Sequence, residues 1–337
     1  MQIRLVFALD NFSRGTTSAM KAKFTGHDTF PLRYGWLFKA VNHLNSNGKF
    51  SSSDEDSIRQ SIVELGVGKN MVKAIQYWAE ASNVIHSERS NNSFIHAVSQ
   101  NGEYLFGGES FEDGRDPYLE MPGSIWLVHF WLNFNVEHLT AYRYFFNFAN
   151  VQHFEKTKLI ADCFEDAKKL VDSELGNIST IKKDIDCFLN TYSKKLKATS
   201  SKKSINIDED HFISPLSELN LIQDNGGGFY ISNLSERPEL PIEIFTYALL
   251  EFFKSETVDS KVSTVDFDSL LSKPCSPGRI FRLSESGLGQ KLDEVQSFTN
   301  NNISWVDSLG LRQVNVSEYA KTNSTYYLNQ YYGTKND

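Results

Sequence analysis

The chain has 337 residues, enough for two or three domains, and its 40% hydrophobic and 13% aromatic content supplies a sizeable core. Its formal net charge of −8 argues against a uniformly basic coat, although a local basic surface can still attract a polyanion. The three cysteines are far apart, which argues against a disulfide framework or a cysteine-based zinc site. No apolar run reaches the length of a secretion signal or a membrane span, so we expect a cytoplasmic protein.

The first patterned stretch is FTGHDTFPLRYGW, residues 24–36, which follows an extension that we expect to be loosely held. His27, Asp28 and Arg33 lie among aromatic residues here, and Pro31 suits the first turn of a helix. The stretch is compatible with a catalytic corner. It is equally compatible with a buried turn that leads into the predicted helix.

Residues 54–81 have the pattern of two helices joined by a glycine turn, which is the helix-turn-helix arrangement. Ser53 or Asp54 can cap the first helix, and the GVG sequence at residues 66–68 ends it. The open face of the second helix carries Lys69, Asn70, Lys73 and Gln76. Such side chains contact phosphates and base edges, but they also occur on any solvated helix face. The residues after Asn83 are expected to supply a wing.

Acidic residues then concentrate between residues 109 and 120, where Asp116 and Glu120 are candidate ligands for a hard cation. The apolar segment from Ile125 to Leu132 predicts a helix in the middle of the protein. Solvated acidic loops are common, so this stretch is also explained without a metal.

Two amphipathic helices are predicted next, from Thr157 to Leu175 and from Ser179 to Tyr192. The second contains Lys182 and Lys183 followed by Asp184 and Asp186, a further candidate site for DNA contact or carboxylate chemistry. Residues 179–203 hold seven lysines against two aspartates, and the last ten have the composition of a linker.

The region after residue 204 predicts short helices and strands that suit another winged-helix-like module. In its SPGRIFR segment, Arg279 and Arg282 could clamp a phosphate or form ion pairs, and Ser284 or Ser286 could cap the following helix. From Ser317 onward the polar, tyrosine-rich sequence predicts a partly disordered tail.

These patterns predict a mainly α fold with small β wings, in which a helical core carries winged-helix or helix-turn-helix modules. The predicted regions are an N-terminal extension (1–22), a helix-turn-helix domain (23–110), a helical aromatic-rich core (111–197), a C-terminal winged-helix-like domain (198–316) and a polar tail (317–337).

Phosphate-binding glycine loops, HExxH and GxSxG patterns are absent, which argues against an ATPase, a metalloprotease or a serine hydrolase. Carboxylate chemistry remains, as in phosphodiester cleavage, where carboxylates activate water or hold one or two hard cations. The candidate catalytic residues are His27, Asp28, Arg33, Asp116 and Glu120.

Several long blocks, among them FTGHDTFPLRYGWLFKAV, IVELGVGKNMVKAIQYWAEASNVI and DGRDPYLEMPGSIWLVHFWL, resemble one prokaryotic family of uncharacterised domains. Its members are encoded beside PAPS-reductase-like enzymes in DNA sulfur-modification islands, and the resemblance extends from about Phe24 to Val314. It implies a DNA-nicking endonuclease that acts in DNA phosphorothioate modification linked to anti-phage defence. It also implies a cysteine desulfurase, an ATPase and an ATP-pyrophosphatase-like enzyme as partners.

The resemblance brings no catalytic motif that can be transferred residue by residue. In such a nickase we expect Mg²⁺ or Mn²⁺ at Asp28, Asp116 and Glu120, with no nucleotide or organic cofactor. The alternative is a non-catalytic subunit that recognises DNA or acts as a scaffold for the sulfur-transfer proteins.

Overall fold

The structure is a computed structural model. It describes residues 20–51, 54–90, 93–108, 110–134, 137–194, 214–257, 263–308 and 310–333. Within these ranges the fold is mainly helical with small sheets, as the sequence predicts. Most of the predicted N-terminal extension, Ser53 and nearly all of the predicted linker lie outside the described residues.

The N-terminal part consists of β1 (Lys21–Ala22), α1 (Trp36–Asn45), α2 (Glu55–Leu65), α3 (Lys69–Ala81), β2 (Ile85–Ser90), β3 (Ser93–Val98) and α4 (Gln100–Phe106). The Asp54 side chain accepts a hydrogen bond from the backbone N–H of Ser57 and thereby caps α2. Gly66 ends α2 in the left-handed conformation, with a φ of 63°, and α3 begins three residues later. The helix, turn and helix are therefore formed as predicted.

The predicted helix start at Pro31 is wrong, because α1 begins only at Trp36. Gly35, immediately before it, has a φ of 75°, and this left-handed residue interrupts any helix that enters from Pro31. Residues 31–33 instead have no regular secondary structure, with the Leu32 side chain buried, and residues 34–35 form a turn before α1.

The middle of the chain contains a short 3₁₀ helix (Phe111–Asp113), α5 (Pro122–Asn133), β4 (His138–Leu139), α6 (Ala141–Asn147), β5 (His153–Glu155), α7 (Lys156–Leu170), α8 (Ile178–Tyr192) and β6 (Ser193–Lys194). Every residue of α5 after Pro122 is buried, which agrees with its uniformly apolar sequence. No helix in the described ranges has the length and apolar character that a membrane crossing requires.

The remaining elements are a 3₁₀ helix (Pro215–Leu219), β7 (Ile222–Asp224), β8 (Phe229–Ile231), α9 (Ile242–Glu256), β9 (Thr264–Asp266), α10 (Phe267–Ser272), α11 (Pro277–Ile280), α12 (Glu285–Phe298), β10 (Ile303–Ser308), β11 (Leu311–Val316), α13 (Glu318–Thr322) and α14 (Ser324–Tyr332). The strands form sheets in the orders β5-β8-β7-β6 and β10-β11-β9, and β1 pairs with β4. Ser284 caps α12 by accepting from the N–H of Gly287.

The predicted disorder of the tail is wrong for residues 317–333, because α13 and α14 are folded against α9. Tyr327 and Leu328 are buried there, and the hydroxyl of Tyr331 accepts a hydrogen bond from the N–H of Gly123 at 2.8 Å. The tyrosines that made the sequence look polar supply the apolar rings that fasten this segment to the core.

One continuous hydrophobic cluster extends from Met20 to Leu328, and α5 runs through it with the polar residue His129 fully buried. His129 Nε2 donates to the carbonyl of Ile280 at 2.8 Å, and its Nδ1 accepts from the hydroxyl of Tyr192 at 2.8 Å. Burial lowers the pKa of His129 to about 3, so the ring is neutral in the folded protein.

This buried ring predicts a loss of stability in mild acid. An unfolded histidine takes up a proton below about pH 6.5, whereas His129 in the fold stays neutral until about pH 3. Stability is therefore retained above pH 6.5 and falls as the pH decreases, by about 2 kcal/mol at pH 5. Urea unfolding at pH 7 and pH 5 measures it. His129→Gln should remove this part of the pH dependence and the exposed-site control His153→Gln should not; an unchanged difference in His129→Gln would refute the assignment.

Candidate nucleic-acid interface

The second helix of the helix-turn-helix, α3, has one buried side and one open side. Val72, Ile75 and Trp78 are buried in the core, and Trp78 Nε1 donates to the carbonyl of Phe30 at 2.9 Å. On the opposite side Lys69, Asn70 and Lys73 are exposed. The structure thus places these three predicted DNA-binding residues on one open surface.

The polar stripe of α3 is divided into an open half and a covered half. Lys69, Lys73, Gln76 and Glu80 follow one another at helical spacing, so they share one face. The predicted DNA contact Gln76 lies in the covered half, where His96 of β3 is 2.9 Å from its Nε2 and 3.1 Å from Glu80 Oε1. Only the half that begins with Lys69 is left open.

Glu80 is the one acidic residue of this stripe, and its charge is compensated locally. Burial raises the pKa of Glu80, but hydrogen bonds from His96 and Gln76, together with the nearby charges of Lys23 and His96, lower it by a larger amount, and the net pKa is below its usual value. Lys23 Nζ lies 3.6 Å from the same carboxylate. The negative charge is therefore paired, and the open half of the stripe, which we call the α3 basic face (Lys69, Asn70 and Lys73), stays cationic.

The opening stretch FTGHDTF does not form an open catalytic corner. Its His27 side chain is tied through Asp184 of α8 to the start of α6, and we call this set of hydrogen bonds the clasp. His27 is buried, and its Nε2 donates to Asp184 Oδ1 at 2.6 Å. Its Nδ1 accepts from the N–H of Thr29 at 3.0 Å, so both ring nitrogens are engaged in hydrogen bonds within the protein. Asp184 is buried as well and accepts from the N–H of Ala141 at 2.7 Å.

Asp28 and Arg33, the other two candidate residues of the opening stretch, differ in their surroundings. Asp28 is exposed and left-handed, with a φ of 46°. The guanidinium of Arg33 packs over the rings of Phe30 and Trp36 at 5.8 and 5.5 Å. Asp28 thus remains accessible to solvent and ligands, whereas Arg33 has a packing role.

In the acidic loop before α5, the Asp116 side chain forms hydrogen bonds to the backbone of the same loop. Asp116 is buried, and its two carboxylate oxygens accept hydrogen bonds from the N–H groups of Glu120 and Met121, both at 2.9 Å. This pattern shapes the loop that enters α5. Glu120 itself is exposed.

The predicted ligands do not fit a magnesium or manganese site. Within the described ranges no three His, Cys, Asp or Glu side chains are grouped so that they could hold a metal ion. Asp28, Asp116 and Glu120 therefore do not come together as a metal site. Each carboxylate oxygen of Asp116 also accepts a hydrogen bond from the backbone.

The lysine-aspartate segment on α8 is divided between surface and core. Lys182 and Lys183 are exposed, as a DNA contact requires. Asp186 is half-buried and pairs with Lys156 Nζ at 2.9 Å, while Asp184 belongs to the clasp with His27. The two aspartates point to different surroundings and form no joint site.

The predicted phosphate clamp of Arg279 and Arg282 is replaced by a structural role. Arg279 donates from Nε to the carbonyl of Asn147 at 3.2 Å and from Nη2 to that of Ala149 at 3.0 Å. Arg282 is buried and donates to the carbonyls of Val151 and Ser232. Burial, with the nearby positive charge of Arg279, lowers the pKa of Arg282 to about 9. Both guanidinium groups are held by backbone carbonyls, at the end of α6, in the segment that follows it and, for Arg282, after β8, so this prediction is corrected.

Comparison with known proteins agrees with the resemblance found in the sequence. The family described as a protein of unknown function, DUF4007, matches residues 24–332. The chain belongs to the DUF4007 family. A search of curated proteins finds no match.

Two solved structures are similar to this DUF4007 chain over almost its whole length. A magnesium ion-bound SspB crystal structure has 26% identity and a TM-score of 0.78, covering 93% of this chain and 89% of that one. A second SspB crystal structure has 25% identity and a TM-score of 0.76, and the match covers 94% of this chain and 89% of that one. The chain is thus similar to SspB in both sequence and fold over almost its whole length.

Two features were not predicted from the sequence, the pairing of His27 with Asp184 and the contact of His96 with α3. Asp184 was considered as a site residue, but its partner His27 is 157 positions away, and no local pattern shows such a pairing. His96, which covers half of the α3 stripe, stands in a strand whose alternation places it on the inner side with Val98. That alternation is the signal that could have identified it.

Proposed function

We propose that this chain binds DNA through the α3 basic face and nicks one strand, as a component of an Ssp-type DNA phosphorothioation system. The likeness to SspB at 26% identity over most of both chains supports the assignment to such a system. The observation that carries DNA binding is the pair Lys69 and Lys73, exposed together on the second helix of a helix-turn-helix.

The elements around this helix suit a winged helix. Three helices, α1 to α3, are followed by the antiparallel β2–β3 hairpin, the order in which a winged helix presents its recognition helix and wing. The C-terminal elements α9 to β11 have a comparable order, with α12 in the recognition position. We therefore infer two winged-helix modules, at the two ends of the chain.

Charge favours the first module as the DNA-binding one. The exposed side of α12 carries Glu285, Asp293 and Glu294, and the only lysine of that helix, Lys291, is buried. An acidic helix face is repelled by phosphates, whereas each lysine that meets a phosphate releases a counterion and gains affinity. In a chain of net charge −8, this contrast directs DNA toward the α3 basic face. Lys182 and Lys183 are another exposed basic pair available to a bound duplex.

A metal cofactor enters this proposal only because one similar protein is described as binding magnesium. One of the SspB structures is described as magnesium ion-bound, so Mg²⁺ or Mn²⁺ remains the expected cofactor of nicking. Because the predicted carboxylates are not grouped in the described ranges, we assign no ligand set and derive no step through the ion. The expected partners remain a cysteine desulfurase, an ATPase and an ATP-pyrophosphatase-like enzyme.

Plasmid relaxation tests the proposed activity. The purified chain with Mg²⁺ or Mn²⁺ should convert supercoiled plasmid to open circles, and EDTA should stop the reaction. The double variant Lys69→Ala/Lys73→Ala should lose most of this activity at 100 mM salt. The double variant Lys158→Ala/Lys168→Ala, which removes the same charge from the exposed side of α7, should retain it. Equal activity in both variants would point to a contaminating nuclease and refute the assignment.

The second candidate is a DNA-recognition subunit that leaves cutting to a partner. It is favoured by one observation, the lack of a carboxylate group suited to a metal in the described part of the chain. DNA binding that depends on Lys69 and Lys73, without open circles under any metal condition, would establish this alternative and exclude intrinsic nicking.

A further inference from the structure

The β2–β3 hairpin leaves the body of the protein with two exposed apolar side chains near its end. Its register runs from the pair Ile85 and Val98, beside the core, to the pair Ser90 and Ser93 at the far end. Ile85 is buried, but Phe94 is 64% exposed and Ile95 is 57% exposed. Single exposed apolar residues are common on proteins, so their position relative to the α3 basic face decides whether they matter.

Strand alternation sets the two side chains on opposite faces of the hairpin. Phe94 shares its face with His96, because residues two apart in a strand point to the same side. His96 is the residue that contacts Gln76 and Glu80 on the polar stripe of α3. Phe94 thus lies on the α3 side of the hairpin, one strand repeat of about 7 Å beyond that contact. Ile95 lies on the other side.

The neighbourhood of Phe94 favours nucleic acid over protein as the occupant. Lys69 and Lys73 are exposed on the same stripe of α3 whose covered half His96 occupies. Lysine is depleted in the centres of protein–protein interfaces, whereas it is common where phosphates are bound. An exposed apolar ring on the hairpin face that packs against α3 suits a side chain that is inserted between bases or stacks on a base when the α3 basic face binds phosphates.

We infer that Phe94 is a base-contacting residue, whose ring packs against a base or between two bases while Lys69 and Lys73 hold the neighbouring phosphates. This inference rests on the proposed function and deepens it, since it assigns the hairpin a direct contact with the DNA. A phenyl ring has no hydrogen-bonding group, so it contacts any base. The contact favours DNA that is bent or locally opened, because a base must leave its stack to meet the ring.

The test compares Phe94→Ala with Ile95→Ala, two exposed apolar positions on opposite faces of one strand. For a duplex with a one-base bulge, Phe94→Ala should weaken binding about tenfold, the order expected for a lost aromatic–base stack. The slope of affinity against salt should stay unchanged, because no phosphate contact is removed. Ile95→Ala should bind within about twofold of the parent, and Phe94→Trp should restore the affinity. Circular dichroism of each variant confirms that it is folded.

The outcomes separate this inference from the function on which it rests. If Lys69→Ala/Lys73→Ala weakens binding but Phe94→Ala does not, the inference is overturned and DNA binding by α3 stands. If Phe94→Ala leaves DNA affinity intact and lowers self-association in sedimentation, the ring belongs to a protein interface and the inference is overturned too. If the parent protein shows no salt-dependent DNA binding, both fail.

Discussion

Asp184→Ala is expected to lower the free energy of unfolding by about 4 kcal/mol. The substitution removes the acceptor for two buried donors, His27 Nε2 at 2.6 Å and the N–H of Ala141 at 2.7 Å. Each unsatisfied buried donor costs about 1–3 kcal/mol. The clasp joins the turn before α1 to α6 and α8, so its loss affects the attachment of the whole N-terminal module.

The matched control is Asp186→Ala, two residues further along α8. Asp186 is half-exposed and pairs with Lys156 near the surface, where such a pair contributes about 0–1 kcal/mol. Urea unfolding followed by tryptophan fluorescence measures both variants; Trp78, whose ring stacks 6.3 Å from that of His27, contributes to this signal. A difference between them of less than about 1 kcal/mol would show that the clasp does not hold the fold.

The same clasp separates a structural role for His27 from the catalytic role expected from its sequence. Asp184→Asn keeps one acceptor oxygen and should be partly stable. At a temperature where this variant is fully folded, we expect it to nick plasmid at a rate close to that of the parent. A folded variant without activity would show that His27 and Asp184 take part in catalysis.

Local patterns were sufficient to predict the helix-turn-helix. Asp54 at the start of α2, Gly66 at its end and the apolar spacing of α3 are short-range signals, and the structure follows all three. The same holds for Lys69 and Lys73, because helical periodicity alone determines which side of α3 is left open once its apolar side is buried.

Other features depend on contacts between distant segments and could not be predicted from local sequence. Arg282 is buried where the segment before β5 and the residue after β8 supply carbonyls to it, and nothing in SPGRIFR shows those partners. The tail from Ser317 has little apolar periodicity, yet Tyr327 and Leu328 are buried against α9. The Pro31 helix failed for a local reason, since Gly35 was the stronger signal and marks the true start.

The α3 basic face gives the second large expected effect. If Lys69 and Lys73 each neutralise one phosphate, the double alanine variant loses two counterion-release contributions of about 0.9 each on a log–log salt plot. Extrapolated from about 1 M salt, this corresponds to about 200-fold weaker binding of duplex DNA at 50 mM salt. Both side chains are exposed, so the loss of stability should stay within about 0.5 kcal/mol.

Specificity for this face is checked with the same charge change elsewhere. Lys158→Ala/Lys168→Ala on α7 lowers the net charge equally, but both lysines are paired, with Asp162 and Glu165. A long-range effect of net charge would weaken binding similarly in the two double variants. A direct contact at α3 would weaken it in only one of them.

The central claim is therefore tested most directly by the affinity for one duplex between 50 and 300 mM salt, in the parent and in Lys69→Ala/Lys73→Ala. We predict that the slope of log affinity against log salt becomes shallower by about 1.8 in the variant and stays unchanged in the α7 control. Parallel lines for the parent and the α3 variant would contradict DNA binding at this face.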